Sequence, residues 1–136
     1  MGFKVLITDG LEKEGIEIIN AAGEAVNKKG IEADELLQVI GEYDGLIVRG
    51  RTKVTKEVFE AAKNLKAVGR AGVGVDNIDL AAAKEHGVTV VNAPTSTTIA
   101  VAELAFGLML ALVREIPRGD ASMKQEQWIK KDLMGK

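Results

Sequence analysis

From Lys4 to Asn92 the chain alternates short β-branched runs with stretches whose apolar positions recur at helical spacing. The runs are Lys4 to Thr8, Glu24 to Asn27, Leu46 to Arg49, Ala67 to Gly69 and Val88 to Asn92. Between them Leu11, Ile16, Ile19 and Ala22 mark one helical face, Leu36, Leu37 and Ile40 a second, and Val58, Phe59 and Ala62 a third. Such alternation is what βαβ units around a parallel sheet produce, and it predicts five strands and at least four helices. Parallel neighbours need right-handed crossovers, so the expected fold is α/β: a flavodoxin-like, doubly wound, parallel five-stranded sheet in the order 2-1-3-4-5.

After the fifth run the pattern changes. Ala100 to Val113 is apolar nearly all round, and such a helix must be covered on most of its faces, of which a single sheet covers one. The longest apolar stretch, Ile99 to Val113, is broken by Glu103 and falls short of the roughly 20 residues of a membrane span, so it reads as a buried helix. Left wet, it would cost roughly 1.5–3 kcal/mol for each large side chain, which predicts a homodimer formed through Phe106, Met109, Leu110 and Val113. Pro117 and Gly119 then punctuate a polar tail, Asp120 to Gly135, whose large apolar groups are Met123, Trp128, Ile129, Leu133 and Met134. The expected division is residues 1–97 as the sheet domain and 98–136 as a crossover helix with a short helical tail.

Composition narrows this picture without redirecting it. The 136 residues, 46% hydrophobic and 28% charged, suffice for one globular body with an adequate core. With 18 basic against 20 acidic side chains, nothing electrostatic points to nucleic acid or an anionic membrane, so any anion site must be local. The absence of cysteine excludes disulfides, thiolate metal sites and a cysteine nucleophile, and with the charged start MGFKVLITDG it suggests a cytoplasmic protein.

In an open parallel sheet, ligands bind outside the carboxyl ends of the strands. Those ends carry Thr8-Asp9-Gly10, Arg49-Gly50-Arg51-Thr52, Arg70-Ala71-Gly72-Val73-Gly74 and Asn92-Ala93-Pro94-Thr95. Gly69, Gly72 and Gly74 read G-x-x-G-x-G, which is not the G-x-G-x-x-G of a dinucleotide loop with its acidic residue about 20 positions on, and no phosphate loop occurs elsewhere. Arg49 and Arg51 are suited to holding a phosphate or carboxylate in bidentate fashion, or are two solvated arginines flanking a turn glycine. Arg70 precedes glycines that either let backbone N–H groups approach an anion or adopt positive φ where the chain leaves the sheet.

The remaining candidates have structural readings close at hand. One of Asp76, Asn77 and Asp79 is expected to cap the helix that starts near Leu80. His86, the single histidine, sits before Gly87 at a helix end, where a cation suits the dipole, and it has no partner for a metal site or triad. Thr95, Ser96, Thr97 and Thr98 offer hydroxyls that cap the long helix or face a ligand. No metal site and no catalytic constellation is visible.

The segments VGRAGVGVDNIDL, VVNAPTSTTIAVAEL and LIVRGRTKVT, in their order and spacing, resemble the N-terminal part of the D-isomer-specific 2-hydroxyacid dehydrogenases, closest to the branch acting on 3-phosphoglycerate. The likeness runs through the tail MKQEQWIKKDLMGK. It implies a discontinuous flavodoxin-like substrate domain, an NAD-binding Rossmann domain inserted through a long helix, and a chain that is a substrate-domain fragment plus that helix. Residues Ala100 to Val113 would pack against the nucleotide domain and a second subunit. The resemblance further implies that the backbone of Ala71, Gly72, Val73 and Gly74 binds the substrate carboxylate, with the nicotinamide near Val73. By the same likeness Arg49 and Arg51 bind the substrate phosphate, and Asn92 and Thr95 to Thr98 form the hinge loop facing the cofactor. The implied parent reaction is NAD-dependent interconversion of 3-phosphoglycerate and 3-phosphohydroxypyruvate, entering serine synthesis. The family's catalytic histidine, its acidic partner and its substrate-orienting arginine have no counterpart here, and His86 does not match, so the chain alone is expected to be inactive. Another D-2-hydroxyacid dehydrogenase, or a non-catalytic anion-binding flavodoxin-like module, is the alternative. A receiver domain would need an aspartate where Arg49 stands.

Overall fold

The computed structural model describes residues 2–135. Where composition suggested one body, contacts divide the chain into two compact units, Met1–Ser96 and Thr97–Lys136.

The first unit contains every strand: β1 (Phe3–Ile7), β2 (Gly23–Asn27), β3 (Gly45–Val48), β4 (Ala67–Arg70) and β5 (Thr89–Asn92). They form one parallel sheet in the order β2-β1-β3-β4-β5, the order expected of the flavodoxin-like class, with strand ends within one residue of the expected runs. The connections are α1 (Lys13–Ala22), α2 (Ala33–Val39) with a 3₁₀ turn at Ile40–Glu42, α3 (Lys56–Ala61) and α4 (Leu80–Glu85).

One face of the sheet carries Leu6, Leu46, Val48 and Val68, which join Leu36, Ile40, Val58, Phe59, Ala82 and Ala83 in a single core. Each large apolar side chain fully removed from water there contributes roughly 1.5–3 kcal/mol. Val58, Phe59 and Ala62 are buried as their spacing predicted, as are Leu36 and Ile40. Leu37 is not: at 36% exposed it lies at the rim. On α1 no residue is fully buried, because that helix packs beside the edge strand β2.

All strands run the same way, so their carboxyl ends gather along one edge. The register sets Ile7, Ile47, Gly69 and Val91 in one row, bringing the chain just beyond them, at Asp9, Arg49, Ala71 and Ala93, to a common rim. An isolated parallel bridge between Val54 and Ile78 ties the loop after β3 to the loop after β4.

The second unit consists of α5 (Thr98–Val113), α6 (Ile116–Lys124) and a 3₁₀ turn at Lys130–Asp132. The long apolar segment is a helix, but the expected burial is not met: Leu104 is 63%, Phe106 65% and Leu112 77% exposed. Within its own unit α6 packs against it, and a short helix of sequence IPRGDASMK cannot cover a helix apolar on every side. Among the described residues no helix is long and apolar enough to cross a membrane.

Candidate functional site

The site grows from the loop Arg49–Thr52, which leaves β3 at the sheet's carboxyl rim. Its shape is fixed by a strand-end residue that local pattern left without an individual role. The side chain of Asp9, just past β1, is only 4% exposed. Its Oδ2 accepts the N–H of Arg49 at 2.8 Å and of Thr52 at 3.0 Å, while Oδ1 accepts the Thr52 hydroxyl at 2.6 Å. Burial pushes the Asp9 carboxyl up, but the Thr52 hydroxyl, the N–H groups of Thr52 and Arg49 and the Arg51 charge outweigh it and hold it below the ordinary aspartate range. From the opposite side Asn77 donates through Nδ2 to the carbonyls of Arg49 (2.9 Å) and Thr52 (2.7 Å).

The two arginines of the loop therefore differ. Arg51 is engaged: Nε lies 3.4 Å from Asp9, Nη2 donates to the Ile31 carbonyl at 2.8 Å, and Nη1 lies 3.9 Å from Glu32. Among the described residues Arg49 has a single ion-pair contact, 3.8 Å to an exposed Glu12, and such a surface pair is worth little.

Beyond β4, Arg70 folds its guanidinium back over its own loop. A Cβ at Gly72 would overlap it, and a Cβ at Gly50 would stand 3.9 Å from its Nη2. Neither Gly72 nor Gly74 is among the glycines at positive φ, which are Gly10, Gly30, Gly87 and Gly135. The turn explanation therefore fails at this loop, and what Gly72 supplies is room for Arg70. Among the described residues Arg70 has no acidic partner, and its Nε is buried without an acceptor. In the same loop the N–H of Ala71 bonds to Val48 O and that of Gly72 to Arg70 O, whereas those of Val73 and Gly74 meet no acceptor among the described residues. Asn92 holds the loop in place by donating to the Val73 carbonyl at 2.6 Å. The strand ends thus gather two weakly paired or unpaired guanidinium groups and two N–H groups without an acceptor, a chemistry suited to an anion, with the Asp76 carboxylate beside Gly74.

The remaining candidates separate. Asp79 caps α4, accepting the Ala82 N–H at 2.9 Å. His86 ends that helix, its Nδ1 3.0 Å from the Ala82 carbonyl and its ring stacked on Phe59, with Gly87 following at φ 69°. The expected hydroxyl cap of α5 is absent: Thr97 occupies the cap position without a side-chain hydrogen bond, and Ser96 Oγ donates backwards to Ala93 O instead. Thr95 is exposed in the first unit, and Thr98, also exposed, opens α5 in the second.

Asp9 and Asn77 were missed because their partners lie 40 and 28 residues away along the chain, where no local pattern reaches. The available signal was an acid placed directly after an apolar strand and before a glycine, Thr8-Asp9-Gly10.

Residues 5–129 match the sequence model of the D-isomer specific 2-hydroxyacid dehydrogenase catalytic domain. The chain is 50% identical over 132 residues to D-3-phosphoglycerate dehydrogenase of Methanocaldococcus jannaschii, covering 97% of this chain and 25% of that protein. It is 47% identical over 135 residues to hydroxypyruvate reductase of Thermotoga maritima, covering 98% and 44%. Among solved structures it resembles NAD+-bound 3-phosphoglycerate dehydrogenase of Entamoeba histolytica, with a TM-score of 0.68 and 30% identity over 84% of this chain and 40% of that one. The chain thus spans a quarter to under half the length of these relatives.

Proposed function

The chain belongs to the D-isomer specific 2-hydroxyacid dehydrogenase family, and from that premise we propose that it supplies the substrate side of an NAD-dependent oxidoreductase interconverting 3-phosphoglycerate and 3-phosphohydroxypyruvate. Residues 1–97 are the substrate domain, and 98–136 the crossover helix and tail leading toward a cofactor domain.

The observation that carries this reading is the rim itself. The open N–H groups of Val73 and Gly74 are assigned to the substrate carboxylate, with Ala71 and Gly72 shaping their loop. Arg49 and Arg70, which lack strong acidic partners, are assigned to the phosphate, and Arg51 braces the loop that carries Arg49. A dinucleotide would be held elsewhere, since these 136 residues contain no G-x-G-x-x-G loop. Val73, Asn92 and Thr95 are assigned to the side facing the nicotinamide. These residues bind and orient substrate; they supply no general acid or base.

The relative named hydroxypyruvate reductase makes an unphosphorylated hydroxy acid the competing substrate, and the arginines decide between them. Titrating the chain with 3-phosphoglycerate and with D-glycerate, followed by amide NMR shifts, is the test. Tighter binding of the phosphorylated acid is expected, and Arg70→Ala should weaken it about tenfold or more, the loss of a charge-assisted contact. Equal affinity for both acids, unaffected by Arg49→Ala and Arg70→Ala, would remove the phosphate assignment.

For the exposed α5 we propose a homodimer through Phe106, Met109, Leu110 and Val113, which share one helix face and are 65%, 52%, 60% and 39% exposed. Sedimentation should show a dimer that Leu110→Glu dissociates; a monomer at micromolar concentration in the unmodified chain argues against it.

A further inference from the structure

We infer that Asp9 is a positioning residue for anion recognition: its carboxylate folds the Arg49–Thr52 loop so that Arg51 is held back and Arg49 is left free for the ligand. The inference rests on the substrate reading above and adds to it a residue that touches no ligand.

The geometry is specific. The N–H groups of Arg49 and Thr52, three positions apart, converge on one oxygen of Asp9 at 2.8 and 3.0 Å. That convergence wraps the intervening Gly50 and Arg51 around the carboxylate. The other oxygen takes the Thr52 hydroxyl at 2.6 Å and lies 3.4 Å from Arg51 Nε, so it holds the loop's end and its charged side chain together. An ionised carboxylate offers two oxygens and about four acceptor sites, and these contacts use most of them on a single loop. Asn77 completes the clamp by donating to the carbonyls of the same two residues, Arg49 and Thr52. With both backbone groups of Arg49 fixed by side chains from the loops after β1 and β4, its guanidinium projects from a set origin. Its 3.8 Å contact with exposed Glu12 is easily exchanged for a phosphate.

An amide at Asp9 keeps one acceptor oxygen and puts a donor in place of the other, so either the two N–H groups or the Thr52 hydroxyl loses its acceptor, and the charge that restrains Arg51 is removed. The loop would lose its origin while the Val73–Gly74 side of the site, anchored separately by Asn92, stays as it is.

The test is again titration with 3-phosphoglycerate and D-glycerate. Asp9→Asn should weaken 3-phosphoglycerate binding about tenfold while D-glycerate binding stays within about twofold. Combined with Arg49→Ala it should be no weaker than Arg49→Ala alone, since both act through one side chain. Thr52→Val, which removes only the hydroxyl contact and serves if Asp9→Asn does not fold, should give a smaller loss with the same selectivity. Equal weakening of both ligands, or full additivity with Arg49→Ala, makes Asp9 a general structural residue and overturns the inference. If the unmodified chain binds neither acid, the substrate reading itself fails and the positioning role falls with it.

Discussion

Phe59 and Phe106 sit on apolar helical segments of the same chain, yet one is 2% and the other 65% exposed. The difference comes from periodicity rather than from apolar content. On α3 the apolar groups form one stripe that a sheet face can cover, whereas α5 is apolar on every side and nothing within its unit encloses it. A stripe specifies its own cover; an all-round apolar helix specifies only that cover is needed. Phe59→Ala should therefore lower the unfolding free energy by about 3–5 kcal/mol, measured by urea denaturation. Phe106→Ala should leave the sheet unit within about 0.5 kcal/mol of the unmodified protein. Comparable losses at the two positions would mean that α5 is covered in the folded protein and that its cover supports the sheet unit.

The same contrast marks what could be read from the sequence. The fold class was legible because each run is short, β-branched and followed by a helical stripe, and the strand order followed from that class, since right-handed crossovers leave few ways to join the strands. The rim on which the candidate residues stand was legible too, since the carboxyl ends of a parallel sheet gather along one edge. What local pattern could not supply was the difference among Arg49, Arg51 and Arg70, which are alike in residue type and all stand at strand ends. That difference lies in Asp9, Ile31 and Glu32, which engage Arg51, and in Gly72, whose missing side chain makes room for Arg70. The cap of α5 was misjudged for a related reason: a run of hydroxyls shows that a cap is available, not that the backbone turns to use it.

Asp9 sharpens the comparison at an intermediate magnitude. Its folded pKa is depressed below the ordinary value of 3.8, so the unfolded state takes up the proton first as pH falls. Its contribution to stability is complete above that ordinary value and is lost as pH drops through the lower folded one. Asp9→Asn should cost about 1.5–3 kcal/mol at neutral pH, typical of hydrogen bonds to a charged group, and should flatten the acid end of the stability profile. Asp44, lowered by its bond to Lys66 and by the Lys4 N–H, will keep some acid dependence in the variant. An acid limb unchanged in Asp9→Asn would remove Asp9 from the set of groups that anchor the sheet unit.

The smallest expected effect separates the two units at their helix caps. Asp79 accepts the Ala82 N–H at 2.9 Å, so Asp79→Ala should cost about 1 kcal/mol by leaving that first-turn donor without its partner. Thr97 holds the equivalent position on α5 with φ −111° and ψ 0° and makes no side-chain bond, so its hydroxyl contributes nothing that alanine removes. Thr97→Ala should stay within about 0.5 kcal/mol, the range of surface changes that touch no such feature. Thermal unfolding of the two variants side by side decides the matter. If Thr97→Ala costs as much as Asp79→Ala, the hydroxyl caps α5 in solution, and the start of that helix is set by its own sequence in the way that α4 is.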